Sequence, residues 1–246
     1  MGARALVGRA VESLLMGLYP GRCAACDQAL PWRVADEAFC EACAGLVERP
    51  QGPCPACGLP VEGGAACPAC RVDAPPFTAL RAAFWYGGPV REAVHRFKFD
   101  DRPYLFRALA AELAGVPEPS WPRGVLTAVP MTRRGLARRG YNPAWLLALG
   151  LARRLDLPVP GASTLIKVRE TAPQRGLGAA ERRDNVREAF ACRGAVGGRD
   201  VWLIDDVVTT GATARECARV LLDAGARSVC VLALARTPRD DAPPPS

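Results

Sequence analysis

Residues 201–234 read VWLIDDVVTTGATARECARVLLDAGARSVCVLAL, and the rest of the chain is organised around them. Val201, Trp202, Leu203 and Ile204 form a short unbroken apolar run, the pattern of a strand buried on both faces. Asp205 and Asp206 are expected where that strand ends. Thr209, Thr210, Gly211, Ala212 and Thr213 then make a loop of small and hydroxyl residues. Thr213 and Glu216 have capping-box spacing, which predicts a helix beginning there. Cys217, Val220, Leu221 and Ala224 fall on one face of it, and Gly225 can stop it. Residues 228–234 read as the returning strand, so the whole is a βαβ unit.

Ligands of open parallel sheets bind beyond the carboxyl ends of the strands. A loop of small residues lets backbone N–H groups approach a phosphate, and the helix N-terminus behind it favours the anion. Two carboxylates beside such a cradle would repel the phosphate itself. They fit vicinal sugar hydroxyls or a bridging metal ion, and the ligand implied is a phosphorylated sugar. An ordinary strand–turn–helix has no need of apolar residues, two acids and a TTGAT loop in that order. The stretch VWLIDDVVTTGAT resembles the phosphoribosyl pyrophosphate (PRPP) signature of type I phosphoribosyltransferases. By that resemblance Asp205 and Asp206 hold the ribose hydroxyls, while Thr209, Thr210, Gly211, Ala212 and Thr213 cradle the 5′-phosphate.

The 246 residues allow one or two domains, and half of them are hydrophobic, enough for a real core. Net charge is +7, which makes an anionic partner plausible. Thirty of the 32 basic residues are Arg; only Lys98 and Lys167 are Lys. That bias lessens what any single arginine says. No apolar run is long enough to cross a membrane. Residues 1–20 read as an amphipathic helix with Val7, Val11, Leu14, Leu15 and Leu18 on one face, not as a signal peptide. A cytoplasmic protein is expected.

Eight of the 11 cysteines lie between residues 23 and 70, as four Cys-x-x-Cys pairs: Cys23/Cys26, Cys40/Cys43, Cys54/Cys57 and Cys67/Cys70. Two such pairs complete one tetrahedral Cys₄ site, so eight thiols supply two structural Zn²⁺ ions. The intervals within successive pairs of pairs, 13 residues and then 9, suggest two repeated zinc ribbons. Sequential pairing is expected, with cross-bracing as the alternative. Disulfides would suit an oxidising compartment better than this chain. Residues 1–72 carry six basic and seven acidic residues and the remainder 26 and 18, so the positive charge lies outside the ribbons. A docking or stabilising role for the ribbons is at least as well supported as direct DNA contact. Pro75-Pro76 marks a boundary. Residues 1–74 are expected to form a helix and double ribbon, 75–237 the α/β domain, and 238–246 a disordered tail.

Residues 80–86 read as a strand, 90–99 and 105–113 as helices, and 124–130 as a second strand. Residues 131–142 (MTRRGLARRGYN) read as a loop at that strand's carboxyl end. Arg133, Arg134, Arg138 and Arg139 crowd it, and guanidinium forks match pyrophosphate oxygens as well as they suit a solvated surface. Pro143 starts a helix to Leu155, with Trp145, Leu146, Leu149 and Ala152 toward the core. Residues 163–168 and 189–193 read as strands. Between them, residues 169–185 are charged and turn-rich, as a mobile lid would be. His95, the only histidine, suits a helix surface. Cys192, Cys217 and Cys230 lack ligand spacing and read as packed thiols.

Three segments together resemble the ComF family of competence-associated proteins, which includes GntX-like members. They are the four-pair cysteine module, KFDDRPYLFRALAAEL with VPMTRRGLARRGYNPAWLLA, and KVRETAPQRGLGAAERRDNVREAF leading into the PRPP-like motif. The resemblance covers nearly the whole chain. It implies a type I phosphoribosyltransferase-like fold, a mostly parallel sheet flanked by helices, after a small zinc-ribbon domain. It also implies Mg²⁺ with PRPP, a pyrophosphate loop at Met131, Thr132, Arg133 and Arg134, and a flexible hood at residues 169–185. Members of the family are associated with handling single-stranded DNA in natural transformation, so DNA and uptake-machinery proteins are the implied partners. This chain departs from the family's usual pattern in having Pro143 where Gln is common, and no His near the pyrophosphate loop. Three functions are compatible with the motif: a PRPP-binding DNA-handling protein, an active phosphoribosyltransferase, and a PRPP-sensing docking protein. Trp85, Trp121 and Tyr141 are the candidates for base stacking. The residues name no catalytic group.

Overall fold

The computed structural model describes residues 21–31, 37–159, 161, 163–170 and 186–238. The stretch quoted above forms its centre. Strand β5 spans Asp200–Val208, helix α7 Ala212–Asp223 and strand β6 Ser228–Arg236. β5 and β6 pair in parallel, as a βαβ unit requires. Strand β1 (Ala79–Trp85) joins β6 on one side and β2 (Val125–Ala128) joins β5 on the other, both in parallel. The order is therefore β1-β6-β5-β2.

Helices cover both faces, which is why Val201, Leu203, Ile204, Val231 and Leu232 are wholly buried. On one face lie α3 (Gly88–Phe99), α4 (Phe106–Ala114) and α6 (Pro143–Arg154), packed on Trp202 and Ile204. On the other lies α7, packed on Val201 and Leu203 with a separate antiparallel pair, β3 (Leu165–Lys167) and β4 (Phe190–Cys192). The expected α/β architecture, a parallel sheet flanked by helices after a small ribbon unit, is what the chain forms.

Details differ from the sequence reading. Pairing carries β5 on to Val208, so Asp205 and Asp206 stand inside the strand; β6 offers backbone partners as far as Arg236. The N-cap of helix α7 lies two residues earlier than the Thr213 of the expected capping box. It is Gly211, whose φ of 80° suits glycine, and Glu216 accepts from the backbone N–H of Glu188 (2.8 Å) and from Arg219 instead of closing a capping box. Ala224 is exposed, and Ala214 and Ala218 take its place in the core. Residues 133–139 form a short helix, α5 (Arg133–Arg139), within the expected loop. On α6 the buried side chains are Pro143, Ala144, Leu147, Ala148, Leu151 and, as expected, Ala152, while Trp145, Leu146 and Leu149 are half-buried.

The ribbons repeat in backbone as well as in sequence. Cys23 N–H donates to Gln28 (2.8 Å) and Asp27 N–H to Cys23; Cys54 N–H donates to Leu59 (2.6 Å) and Gly58 N–H to Cys54. Asp27 and Gly58, each just after the second cysteine of its pair, both have positive φ. The later pairs begin short helices, α1 (Glu41–Ala44) and α2 (Pro68–Val72), at Cys40 and Cys67. β1 is an edge strand, and its outer side is covered: Leu80 N–H donates to Ala56 and Trp85 N–H to Glu48, both at 2.8 Å. A side chain at Gly58 would meet the Leu80 carbonyl oxygen at 2.4 Å, so that approach requires glycine. Residues 1–20, the hood segment 171–185 and the tail 239–246 lie outside the described residues.

Candidate functional site

The crevice follows from the connections. The chain leaves β2 for the face of α6 and leaves the adjacent β5 for the face of α7. Where neighbouring parallel strands send their connections to opposite faces, a cleft opens at their carboxyl ends. Ala128 pairs with Ile204, and Val129 N–H donates to the Ile204 carbonyl at 2.9 Å. The segment that opens into Met131, Thr132, Arg133 and Arg134 thus departs alongside Asp205 and Asp206. The loop Thr209-Thr210-Gly211 follows three residues on along β5.

Strand alternation turns the two acids to opposite faces. Asp206 reaches toward α3, where Lys98 Nζ donates to its Oδ1 at 2.7 Å. Asp205 is buried on the α7 side, where its charge helps hold the Cys217 thiol up, second to burial. Burial first, and the Asp206 charge second, push Asp205 up to about 7, with Lys98 opposing. Asp205 thus titrates near neutrality.

Helix α7 starts directly after Gly211, and the backbone N–H groups of a helix's first turn are the donors an anion would use. Thr210 Oγ1 already accepts from Ala212 N–H at 3.4 Å. Ala212 also lines a depression of about 650 Å³ with Glu188, Arg215, Glu216 and Arg219. On the β2 side a cleft of about 880 Å³ is lined by Met131, Thr132, Arg133 and Arg134, faced by Lys167, Val168, Arg169 and Glu170. The acids and the threonine loop adjoin this cleft through the strand register and are not among its lining residues. Arg138 and Arg139, at the far end of α5, are not either.

Three residues of the site escaped the sequence reading. Lys98 holds Asp206. Asn142 donates its Nδ2 to the Val129 carbonyl (3.0 Å) and caps α6 through Oδ1, accepting from Ala144 N–H (3.0 Å) and Trp145 N–H. It therefore ties the 129–132 segment to α6, and Pro143 at the helix start suits that role. Lys167 lines the cleft, its pKa lowered by burial. A signal existed for two of them: in a chain that uses Arg almost throughout, the only two lysines both lie here.

The cysteines form two sequential tetrads, Cys23/Cys26/Cys40/Cys43 and Cys54/Cys57/Cys67/Cys70, each with its sulfurs within 4.8 Å of one another. A tetrahedral Zn²⁺ about 2.3 Å from each sulfur spaces them about 3.8 Å apart. The Cys26–Cys40 and Cys57–Cys67 separations are both 3.7 Å. The donor chemistry fits as well. Burial opposes ionisation of Cys54, but N–H groups of Cys57, Cys67 and Ala56 outweigh it and bring the thiol down to about 6. The four-sulfur sets leave no open position, so their role is structural.

A family model described as "Double zinc ribbon domain" matches residues 14–71. "DNA utilization protein YhgH" of Salmonella typhi is 34% identical over 89% of this chain and 98% of its own length. "Competence protein F" of Haemophilus influenzae is 31% identical over 90% and 100%, and "Competence protein ComFC" of Bacillus subtilis 28% over 90% and 97%. Among solved structures, TT1426 from Thermus thermophilus aligns over 56% of this chain and 86% of that one, at 23% identity and TM-score 0.33. A hypoxanthine phosphoribosyltransferase from Staphylococcus aureus aligns over 59% and 70%, at 14% identity and TM-score 0.31. Structural likeness at those scores carries no argument. The relatives matched over almost their whole length show the family: with its double zinc ribbon and α/β domain, the chain belongs to the ComF family of competence-associated proteins.

Proposed function

We propose that the protein binds PRPP, or a related phosphorylated ribose, at the β2/β5 crevice and takes part in handling single-stranded DNA during natural transformation. One observation supports the binding reading above the others. The strand register sets the 129–132 segment, the two acids and the threonine loop at the carboxyl edge of two adjacent strands. In this reading Asp206 exchanges its bond to Lys98 for one to a ribose hydroxyl. N–H groups of α7's first turn, with Thr209, Thr210 and Thr213, receive the 5′-phosphate. Arg133 and Arg134 face the pyrophosphate, and Mg²⁺ arrives with it, screening its charge. The DNA role rests on the names of the full-length relatives and on the positive charge of residues 73–246. A cytoplasmic location goes with it; among the described residues no helix is long and apolar enough to cross a membrane.

The cleft beside Met131–Arg134 favours a second reading, an active phosphoribosyltransferase, because about 880 Å³ is ample for a nucleobase or amine acceptor. Calorimetric titration with PRPP and Mg²⁺, with pyrophosphate followed as nucleobases are added, tests both. Binding without release is expected. Acceptor-dependent release would establish the enzyme instead, and absence of any binding would reject the ligand site.

A further inference from the structure

The helix that carries Lys98 to Asp206 ends in an exposed ring. Phe99 is 59% exposed and Tyr104, five residues on, 51%; every other Phe, Tyr and Trp among the described residues is buried or half-buried. The three aromatic residues that the sequence suggested for stacking are occupied. Tyr141 donates its hydroxyl to the Phe97 carbonyl, Trp121 packs edge-on against Trp202 at 6.0 Å, and Trp85 is buried against the second ribbon.

A solitary exposed Phe would mean little. Phe99 is not solitary. The Arg139 guanidinium lies 4.9 Å from its ring centroid, and the His95 ring is 5.2 Å away, tilted by 46°. Arg139 also contacts Met131 Sδ at 3.7 Å, which links the ring to the 129–132 segment. Arg133, Arg134 and Arg138 are exposed on the same short helix, and none enters an ion pair among the described residues. Of the nearby acids, Asp206 is held by Lys98 and Asp100 lies 3.5 Å from His95, while Asp101 is exposed two residues beyond Phe99. The surface therefore combines an exposed aromatic ring with several guanidinium groups outside any ion pair among the described residues.

We infer that Phe99, with Arg139 stacked on it, is a base-stacking platform for single-stranded nucleic acid, whose phosphates follow Arg133, Arg134 and Arg138. The inference rests on the DNA-handling reading and gives it a location. Every base has a π-face, so such a platform is tolerant of sequence. The stacked guanidinium extends the flat surface and still has N–H groups for phosphate oxygens. A duplex keeps its bases stacked on each other and has no face to offer Phe99. An acidic peptide would engage the arginines but not the ring.

The test is fluorescence anisotropy of labelled 20-mers, oligo-dT, oligo-rU and a dT·dA duplex, on the full-length chain over a series of salt concentrations. Wild type, Phe99→Ala, Phe99→Trp and Arg139→Gln are compared, with thermal unfolding as the check on folding. Single strands are expected to bind more tightly than the duplex. Phe99→Ala should weaken oligo-dT binding about fivefold to a hundredfold with the salt slope unchanged, and Phe99→Trp should restore it. Arg139→Gln should lower the salt slope by about one. Tighter binding of oligo-rU would keep the platform and make RNA its ligand. Equal oligo-dT affinity of wild type and folded Phe99→Ala would overturn the platform and leave the DNA reading intact. If wild type binds no oligonucleotide at low salt, the DNA reading falls and the platform with it.

Discussion

At the scale of single residues, Asp205 and Asp206 show how one strand sets two environments. Asp206 is neutralised by Lys98 across 2.7 Å, whereas Asp205 is buried and pushed up to about 7. The folded chain therefore keeps a proton on Asp205 that the unfolded chain releases from about pH 4 upward. The stabilising effect of that proton is complete below pH 4 and is lost as pH rises through 7. Asp205→Asn cannot ionise, so wild type should lose on the order of 2–4 kcal/mol relative to the variant between pH 4 and pH 8. Denaturant titrations at several pH values measure this, and parallel stability–pH curves would refute the assignment. Asn matches Asp in size and adds no buried charge, so the double variant Asp205→Asn/Asp206→Asn should remain folded. Its affinity for PRPP in calorimetry should fall below detection; an unchanged affinity in a folded protein would remove the acids from the site. Of this residue-scale picture, the acid pair was legible because it lies in one contiguous motif. Lys98 was not, because 108 residues separate it from Asp206 and only α3's packing brings it back.

Elements were legible where a single local rule dominates. The βαβ unit has an apolar run, a loop of small residues and an amphipathic helix in series, and it forms as such. Helix α6 has the right start because Asn142 and Pro143 mark it, but its buried face differs from the expected one. Its sequence is apolar almost all round, so periodicity cannot choose between Leu146/Leu149 and Leu147/Leu151; packing against α4 and β5 chooses. The capping box failed for a related reason: Glu216 found Arg219 on its own helix and the Glu188 N–H, which the fold brings from 28 residues away. The cysteine pairs of the ribbons, in contrast, are marked by spacing alone, and the fold joins them in sequence. Replacing Cys54 and Cys57 by Ser should reduce bound zinc from two ions per chain to one, because each tetrad takes its sulfurs from its own two pairs. Metal analysis that still finds two, or finds none, would contradict independent sequential sites.

For the whole molecule, the ribbons and the sheet share structure. Residues of the first ribbon, Cys23, Leu30 and Phe39, belong to the same core as Phe84 and Leu126. The second ribbon packs around Trp85, and the buried Arg236 at the end of β6 donates to the Cys57 carbonyl. Asp27 of the first ribbon is gripped by Arg102, and the Arg102 hydrogen bond above all holds its carboxyl below the usual range. Metal removal should therefore be felt beyond residue 74. With a strong chelator the Tm of the full chain should fall by about 10 °C or more in one cooperative transition. Calorimetry that instead shows the α/β domain melting at its original temperature would mean the ribbons fold as an independent unit.

The sequence alone determined the four cysteine pairs, the central βαβ unit and the α/β class, because each is carried by residues close together in the chain whose spacing has a direct geometric meaning; the family was legible as a resemblance of three segments that together span most of the chain. Tertiary structure decided that the tetrads pair sequentially and that the ribbons cover the β1 edge. It decided that Lys98 rather than solvent meets Asp206, that Asn142 fixes the segment before Met131, and that Phe99 is, with Tyr104, left exposed among the aromatic rings of the described residues. Those outcomes depend on which of several equally apolar or equally charged surfaces meet once the helices dock. That is settled by packing between residues far apart in the chain, and local spacing does not record it.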